Sequence, residues 1–134
     1  KFTDLQSSLG ISQLQNIKLR IKKKRQIFNL YYKNLKKIKE IKMFEFKKNE
    51  TPWFIDIYLK NPKKLQQYLK KFNVATRLVY PPLNSLKIFK IKGDFTNSTH
   101  YCNRGLWLPS SINLKEKDIK FIVKKIEIFL NNYA

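Results

Sequence analysis

Apolar residues recur at helical spacing through the first third of the chain. Thr3 and Gln6 have the spacing of a capping box, in which two side chains satisfy backbone N–H groups where a helix begins. The apolar stripe continues to about Ile38 and comprises Leu14, Ile17, Ile21, Phe28, Tyr31 and Leu35. The cationic residues 22–25 lie on the other side of the helix. This pattern predicts one long amphipathic helix over residues 1–38, with Gly10 as a candidate break.

The middle of the chain shows strand patterns. Residues 41–46 alternate between apolar and polar side chains, and residues 53–59 are rich in β-branched and aromatic residues. We therefore predict two strands around a turn at residues 48–52. A further strand is predicted over residues 74–80, ending where the chain reaches Pro81 and Pro82.

Helical patterns return between and after these strands. Asn61 and Pro62 suit the start of a short helix, a second short helix is predicted over residues 96–103, and a stripe of apolar residues from Ile119 predicts a closing amphipathic helix. The predicted fold class is α+β: a small sheet with helices on one side, and long first and last helices.

Composition adds a strong positive charge. The chain of 134 residues has 29 Lys and Arg against 9 Asp and Glu, a net charge of +20. Such a charge suggests nucleic acid or an anionic membrane as a partner. However, the lysines are scattered and accompany many Ile and Asn, as AT-rich genomes favour, so we expect neither partner. A basic nucleic-acid-binding module stays open as the alternative.

Few residues could perform catalysis. One cysteine, Cys102, excludes an internal disulfide, and with one histidine, His100, the chain offers no plausible Cys–His pair or Cys/His metal cluster. The three isolated glycines form no phosphate-binding loop. We expect His100 to be a surface helix residue. We identify no catalytic residue and expect the chain to be inactive by itself.

Five segments carry a family resemblance. KFTDLQSSLGISQL at 1–14, TPWFIDI at 51–57, NVATRLVYPPL at 73–83, GDF at 93–95 and RGLWLPSSINL at 104–114 occur in this order. Together they resemble the DegT/DnrJ/EryC1/StrS family of sugar aminotransferases. The resemblance covers essentially the whole chain.

This resemblance implies a cytoplasmic, homodimeric pyridoxal-phosphate enzyme of the aspartate aminotransferase fold type. The substrates it implies are a nucleotide-linked keto sugar and, as amino donor, glutamate. Residues 1–134 would be the C-terminal small domain, with residues 1–38 leading from the large domain and residues 39–134 forming the α+β core. The Schiff-base lysine and the cofactor contacts would lie upstream, in a catalytic large domain absent from this chain. A catalytically inactive relative acting as a scaffold is a further alternative.

The resemblance also gives candidate substrate contacts. It suggests Lys1 near a phosphate, Arg77 and Tyr80 beside the substrate cleft, and Asn84 where many relatives carry a histidine. An asparagine can hydrogen-bond a sugar hydroxyl but cannot carry a proton near neutral pH. For each candidate a structural role is the alternative. We expect Trp53 and Trp107 to pack in the core.

Overall fold

A computed structural model of the chain describes residues 2–47, 49–89 and 92–133. Within these ranges no helix is long and apolar enough to cross a membrane. The described elements comprise five α-helices, three strands and one short 3-10 helix, in the order α1 Asp4–Gln15, α2 Ile17–Leu35, β1 Ile55–Tyr58, α3 Pro62–Lys70, β2 Arg77–Leu78, the 3-10 helix Leu83–Ser85, α4 Thr96–Cys102, β3 Gly105–Leu108 and α5 Glu116–Tyr133. The α+β fold class predicted from the sequence is confirmed.

The first helical segment begins as predicted but is divided in two. The Thr3 Oγ1 accepts a hydrogen bond from the Gln6 backbone N–H at 3.3 Å, and the Gln6 side chain accepts one from the Thr3 N–H at 3.0 Å. The break lies at Asn16, with φ −103° and ψ 8°, and not at Gly10, which continues α1. Asparagine is a poor helix former, and the break separates α1 from the packed helix α2.

The sheet has the order β1–β3–β2, and both pairings are antiparallel. β1 and β2 fall within the predicted strands at 53–59 and 74–80 but are shorter. β3 was not predicted as a separate strand, although it lies at the centre and pairs with both of the others. All four residues of β3 are buried, as expected for a central strand.

The prediction of a strand over residues 41–46 is wrong. Only Lys42 bridges to the sheet, through two backbone hydrogen bonds of 2.9 Å with Tyr58. Beyond Lys42, the alternating aromatic residues pack on other rings: Phe44 against Tyr58 and Phe46 against Phe28. The alternation therefore reflects aromatic contacts and not a hydrogen-bonded ladder.

The core lies between one face of the sheet and three helices. Ile55 and Ile57 of β1, with Leu106 and Leu108 of β3, belong to the same buried cluster as residues of the helices. The helical contribution comes from α2, α3 and α5: Ile27, Phe28, Tyr31, Leu35, Leu65, Leu69, Ile119, Ile122, Val123, Ile126, Phe129 and Leu130. Helices on this inner face leave the outer face of the sheet available for other contacts.

Candidate functional site

The outer face of the sheet carries three neighbouring side chains, one from each strand. Trp107 of β3 is the Cα partner of Asp56 in β1 and of Arg77 in β2. Side chains alternate between the two faces of a strand, and Leu106 and Leu108 belong to the core. Arg77, Trp107 and Asp56 therefore share the outer face, in one row across the sheet.

Trp107 is only 9% exposed, because other rings cover its indole. The Phe54 ring stacks on it with centroids 4.0 Å apart and an interplanar angle of 6°. The Tyr80 ring meets the indole edge-on, with centroids 5.0 Å apart. Both geometries are favourable for aromatic pairs. We call Phe54, Tyr80, Trp107 and Arg77 the aromatic platform.

Arg77 is held against the rings of this platform. Its guanidinium carbon lies 4.7 Å from the Tyr80 ring centroid and 5.8 Å from that of Trp107. The Arg77 residue is exposed, and within the described ranges the one ion pair joins Lys120 and Glu116. A stacked guanidinium keeps its N–H groups free for planar, bidentate contacts. Arg77 can therefore bind a phosphate, a carboxylate or sugar hydroxyls.

Arg77 and Tyr80 also line a cleft of about 500 Å³ beside β2. Lys63 at the start of α3 adds a second cation, and Gln66 contributes an amide whose Nε2 donates to the Thr76 carbonyl at 3.0 Å. A larger cleft of about 590 Å³ lies between α2 and the segment before α5, but it contains neither an arginine nor an aromatic ring. The smaller cleft is the better candidate because it combines cations with flat apolar surface.

Asp56 is a half-buried carboxyl on the same face. Burial raises the pKa of Asp56 above its ordinary value, and a hydrogen bond with the Trp107 side chain partly opposes this shift. Its Oδ1 is buried and has no hydrogen-bond partner among the residues described. The Asp56 carboxyl is therefore a desolvated acceptor next to the platform.

The structure places two of the four site residues predicted from the sequence in contact with each other. Arg77 and Tyr80 are in contact, as described above. Asn84 lies in the 3-10 helix that follows Pro82, is half-buried, and has no hydrogen bond from its side chain to either of them in the described region. Lys1 lies outside the described residues, so its predicted role is untested.

Lys24 is a residue that the sequence pattern assigned to a solvated surface. Its Nζ donates to the Ser110 carbonyl at 2.8 Å, to Ser110 Oγ at 3.1 Å and to the Trp53 carbonyl at 3.0 Å. Burial lowers the pKa of Lys24. Lys24 therefore fastens α2 to the chain before β1 and to the chain after β3. No local pattern predicts contacts between residues so distant along the chain.

The two tryptophans differ from each other. Trp53 is 75% exposed, so the prediction that it packs in the core is wrong. Trp107 is buried as predicted, but under the rings of the outer face and outside the main core cluster. Alternation along β1 and β3 indicates that Asp56 and Trp107 each lie on the face away from the core. The pairing of the two strands, which places these residues side by side, cannot be predicted from this alternation.

Pyridoxal phosphate, the cofactor that the resemblance implies, is held covalently by a lysine amine that is free to form an imine. Burial lowers the pKa of Lys24, which suits this role, but three protein oxygens occupy its donors, so Lys24 does not fit it. His100 is exposed on α4, as predicted, and the described ranges contain no group of three or more possible metal ligands.

Comparison with known proteins agrees with the family resemblance seen in the sequence. Residues 1–127 match the DegT/DnrJ/EryC1/StrS aminotransferase family. The chain is 24% identical to the lipopolysaccharide biosynthesis protein RfbH of Salmonella typhimurium, over 96% of this chain and 33% of that protein. It is 22% identical to GDP-perosamine synthase of Escherichia coli O157:H7, over 98% of this chain and 37% of that enzyme.

Among solved structures, the PLP form of Spr1654 from Streptococcus pneumoniae matches with a TM-score of 0.85 and 20% identity. This match covers 100% of the chain and 37% of Spr1654. At this identity the structural likeness establishes the fold alone. The chain thus spans about a third of the length of the relatives it matches. Because the family match extends over residues 1–127, this chain belongs to the DegT/DnrJ/EryC1/StrS aminotransferase family.

Proposed function

We propose that this chain is the C-terminal part of an aminotransferase that uses pyridoxal phosphate to move an amino group from glutamate to a nucleotide-linked keto sugar. Family membership supports the reaction class. The names of RfbH and GDP-perosamine synthase support sugar chemistry for surface polysaccharide. In this proposal the enzyme is a homodimer, and the catalytic lysine belongs to a part of the enzyme outside this chain. The cofactor, when bound there, supplies the nitrogen-transfer chemistry.

The contribution of this chain is to bind and orient the sugar nucleotide. The observation that carries this role is the Arg77 guanidinium, which lies over the Tyr80 and Trp107 rings and has no acidic partner in the described region. A diphosphate offers the oxygens that a fixed guanidinium binds bidentately. The Tyr80 ring presents a flat face and a hydroxyl to the sugar or the base. Accurate positioning of the keto carbon lowers the entropic part of the barrier.

The other two candidates have supporting roles in this proposal. Asn84 donates or accepts a hydrogen bond at a sugar hydroxyl, and because it does not titrate near neutral pH it leaves proton transfer to other groups. Lys1 provides a second cation for a phosphate. Lys63, at the rim of the cleft beside β2, is a further cation that the sequence did not single out.

The test is steady-state kinetics of the full-length enzyme with Arg77→Gln. We expect the KM for the keto sugar nucleotide to rise by about 10- to 100-fold, because a hydrogen bond to a charged group contributes roughly 1.5–3 kcal/mol. The KM for glutamate should stay within about twofold, since the proposal assigns Arg77 to the sugar nucleotide.

Arg104→Gln is the matched control. Arg104 is an exposed arginine whose guanidinium lies near His100 Nε2, at 3.3 Å, and not on the aromatic platform. Its loss should leave both KM values within about twofold. Equal effects of the two substitutions, or a rise only in the KM for glutamate, would exclude Arg77 as the sugar-nucleotide contact.

A further inference from the structure

Helices α3 and α5 enclose a second cleft, which we call the α3–α5 cleft. It has a volume of about 360 Å³, at the lower end of the roughly 300–1,000 Å³ that small-molecule sites occupy. Lys63 and Gln66 of α3 line the cleft beside β2, so different sides of α3 border the two clefts. The residues that line the α3–α5 cleft are Lys64, Gln67, Tyr68, Lys71, Phe129 and Tyr133.

Three aromatic rings form one wall of this cleft. The rings of Phe129 and Tyr133 stack, with centroids 5.3 Å apart and an interplanar angle of 27°. The ring of Tyr68 meets both of them, with its centroid 5.4 Å from that of Phe129 and 6.3 Å from that of Tyr133. Phe129 is buried in the core, whereas Tyr133 is 59% exposed. The Tyr133 ring is therefore held in place on one side and offers aromatic surface on which a planar group can stack.

The α3 side of the cleft carries two cations. Lys64, Gln67 and Lys71 follow one another at positions i, i+3 and i+7, a spacing that keeps side chains on one side of a helix. All three residues are exposed. Lys64 and Lys71 are separated by about 10 Å along the helix axis. Because a lysine side chain is long and flexible, both ammonium groups can reach one diphosphate placed between them.

No carboxylate offsets these cations along this part of the chain. Residues 57–93 contain nine Lys and Arg and no Asp or Glu. The last acidic residue of α5 is Glu127, which lines a different cleft together with Ile38. Within the described ranges, neither Lys64 nor Lys71 takes part in an ion pair. The charge of the two lysines is therefore available to an anion in the α3–α5 cleft.

From these observations we propose that the α3–α5 cleft binds a nucleoside diphosphate, at a site separate from that of the sugar nucleotide. The base stacks on the Tyr133 ring beside Tyr68, and such stacking tolerates any base. Lys64 and Lys71 pair with the phosphate oxygens. The amide of Gln67, between the two lysines, donates to a phosphate oxygen or a ribose hydroxyl. This inference does not rest on the proposed enzymatic function.

The test is isothermal titration calorimetry of the 134-residue chain with ADP, in an Arg77→Gln background that removes the cation of the other candidate site. We expect saturable binding of one ADP per chain. Tyr133→Leu should raise the Kd by roughly 5- to 100-fold through the loss of stacking. Lys64→Gln and Lys71→Gln should each raise it by about 3- to 10-fold, since exposed ion pairs are weakened by solvent. Lys117→Gln is the matched control, because Lys117 is an exposed lysine at the other end of α5.

Two further ligands, adenosine and pyrophosphate, separate the contributions of the base and the phosphates. Each should bind at least about 10-fold more weakly than ADP, because each makes only part of the contacts. Near-UV circular dichroism checks that every variant is folded.

Three results would overturn the proposal. The first is no binding of ADP, or pyrophosphate binding as tight as that of ADP. The second is a Tyr133→Leu chain whose Kd for ADP is unchanged. The third is a ten-residue oligo(dT) that binds far more tightly than ADP and that Lys117→Gln weakens as much as Lys64→Gln does. That behaviour belongs to a strand attracted by scattered lysines and not to a nucleotide site.

Discussion

Lys24 illustrates how a single side chain can acquire a role that its sequence neighbourhood conceals. It lies in the cationic run 22–25, which the helical pattern places toward solvent. In the structure its ammonium is bonded to the Trp53 carbonyl and to two oxygens of Ser110. These contacts connect residues that are 29 and 86 positions away. Periodicity predicts which side of a helix a lysine occupies, but not what lies opposite that side.

Replacement of this ammonium should destabilise the fold. Lys24→Met keeps the apolar stem but leaves partly buried carbonyl groups without a donor, so we expect the free energy of unfolding to fall by about 1–3 kcal/mol. Lys22→Met, at an exposed position on the same helix, should change it by less than about 0.5 kcal/mol. Urea denaturation measures both. Equal stability of the two variants would show that the Lys24 contacts are dispensable.

Asp56 should make stability depend on pH in a direction opposite to that of an ordinary paired carboxylate. Burial raises its pKa above 3.8, so the folded chain holds a proton at pH values where the unfolded chain has lost it. The Asp56 contribution to the unfolding free energy is therefore complete below about pH 3.8 and is lost as the pH rises through the folded-state pKa.

The measurement is urea denaturation of wild-type chain and Asp56→Asn at pH 7 and near pH 4. Asp56→Asn should be more stable than wild type at pH 7, and this advantage should shrink toward pH 4. Asp94 provides the contrast, because hydrogen bonds from Thr96 lower its pKa. Its contribution should instead be lost as the pH falls through the lowered pKa. The same pH trend for Asp56→Asn and Asp94→Asn would contradict the assignment to Asp56.

At the scale of elements, the features predicted correctly from the sequence are those that local residue patterns determine. The capping box of α1, the helices α3, α4 and α5, and the positions of β1 and β2 follow from spacing and turn residues. The pairing of the strands could not be predicted from spacing and turn residues. The segment 41–46 alternates like a strand but bridges only at Lys42, whereas β3 is four residues long and central. Hydrogen-bonded pairing depends on distant partners, and a local pattern contains no information on them.

The central strand depends on a glycine for close packing against Val79, the residue that follows β2. A Cβ built at Gly105 would lie 2.4 Å from Val79 Cγ2 and 3.2 Å from the Tyr58 ring. Gly105→Ala should therefore lower the free energy of unfolding by about 1–3 kcal/mol through overpacking. The double variant with Val79→Ala should recover part of this loss. The measurement is chemical denaturation of each variant.

Gly10→Ala is the matched control for that substitution. A Cβ at Gly10 meets nothing within 4 Å, and the residue lies inside α1. Alanine should therefore stabilise this helix by roughly 0.5–1 kcal/mol. A loss of stability in Gly10→Ala, or none in Gly105→Ala, would contradict the packing argument.

At the candidate site, Arg77 and Tyr80 were predicted only from the family resemblance. Their contact with Trp107, and the covering ring of Phe54, arise from the pairing of three strands that are distant along the chain. Asn84 and Lys1 remain predictions. The aromatic platform is thus a property of the folded sheet, although each of its residues was visible in the sequence.

At the scale of the whole molecule, this chain is about a third of the length of its relatives, with the aromatic platform on one face of its sheet and an apolar helix at one end. Both are explained if the chain works within a larger aminotransferase, where the sheet face meets the sugar nucleotide and α1 meets protein.

The most direct test of this account is the visible absorption spectrum of the full-length protein with pyridoxal phosphate, recorded before and after glutamate is added. We predict a band from the bound cofactor that decreases when glutamate donates its amino group, and that returns when a nucleotide-linked keto sugar accepts it. A full-length protein that binds no cofactor, or whose cofactor band does not respond to glutamate, would contradict the account and favour an inactive scaffold.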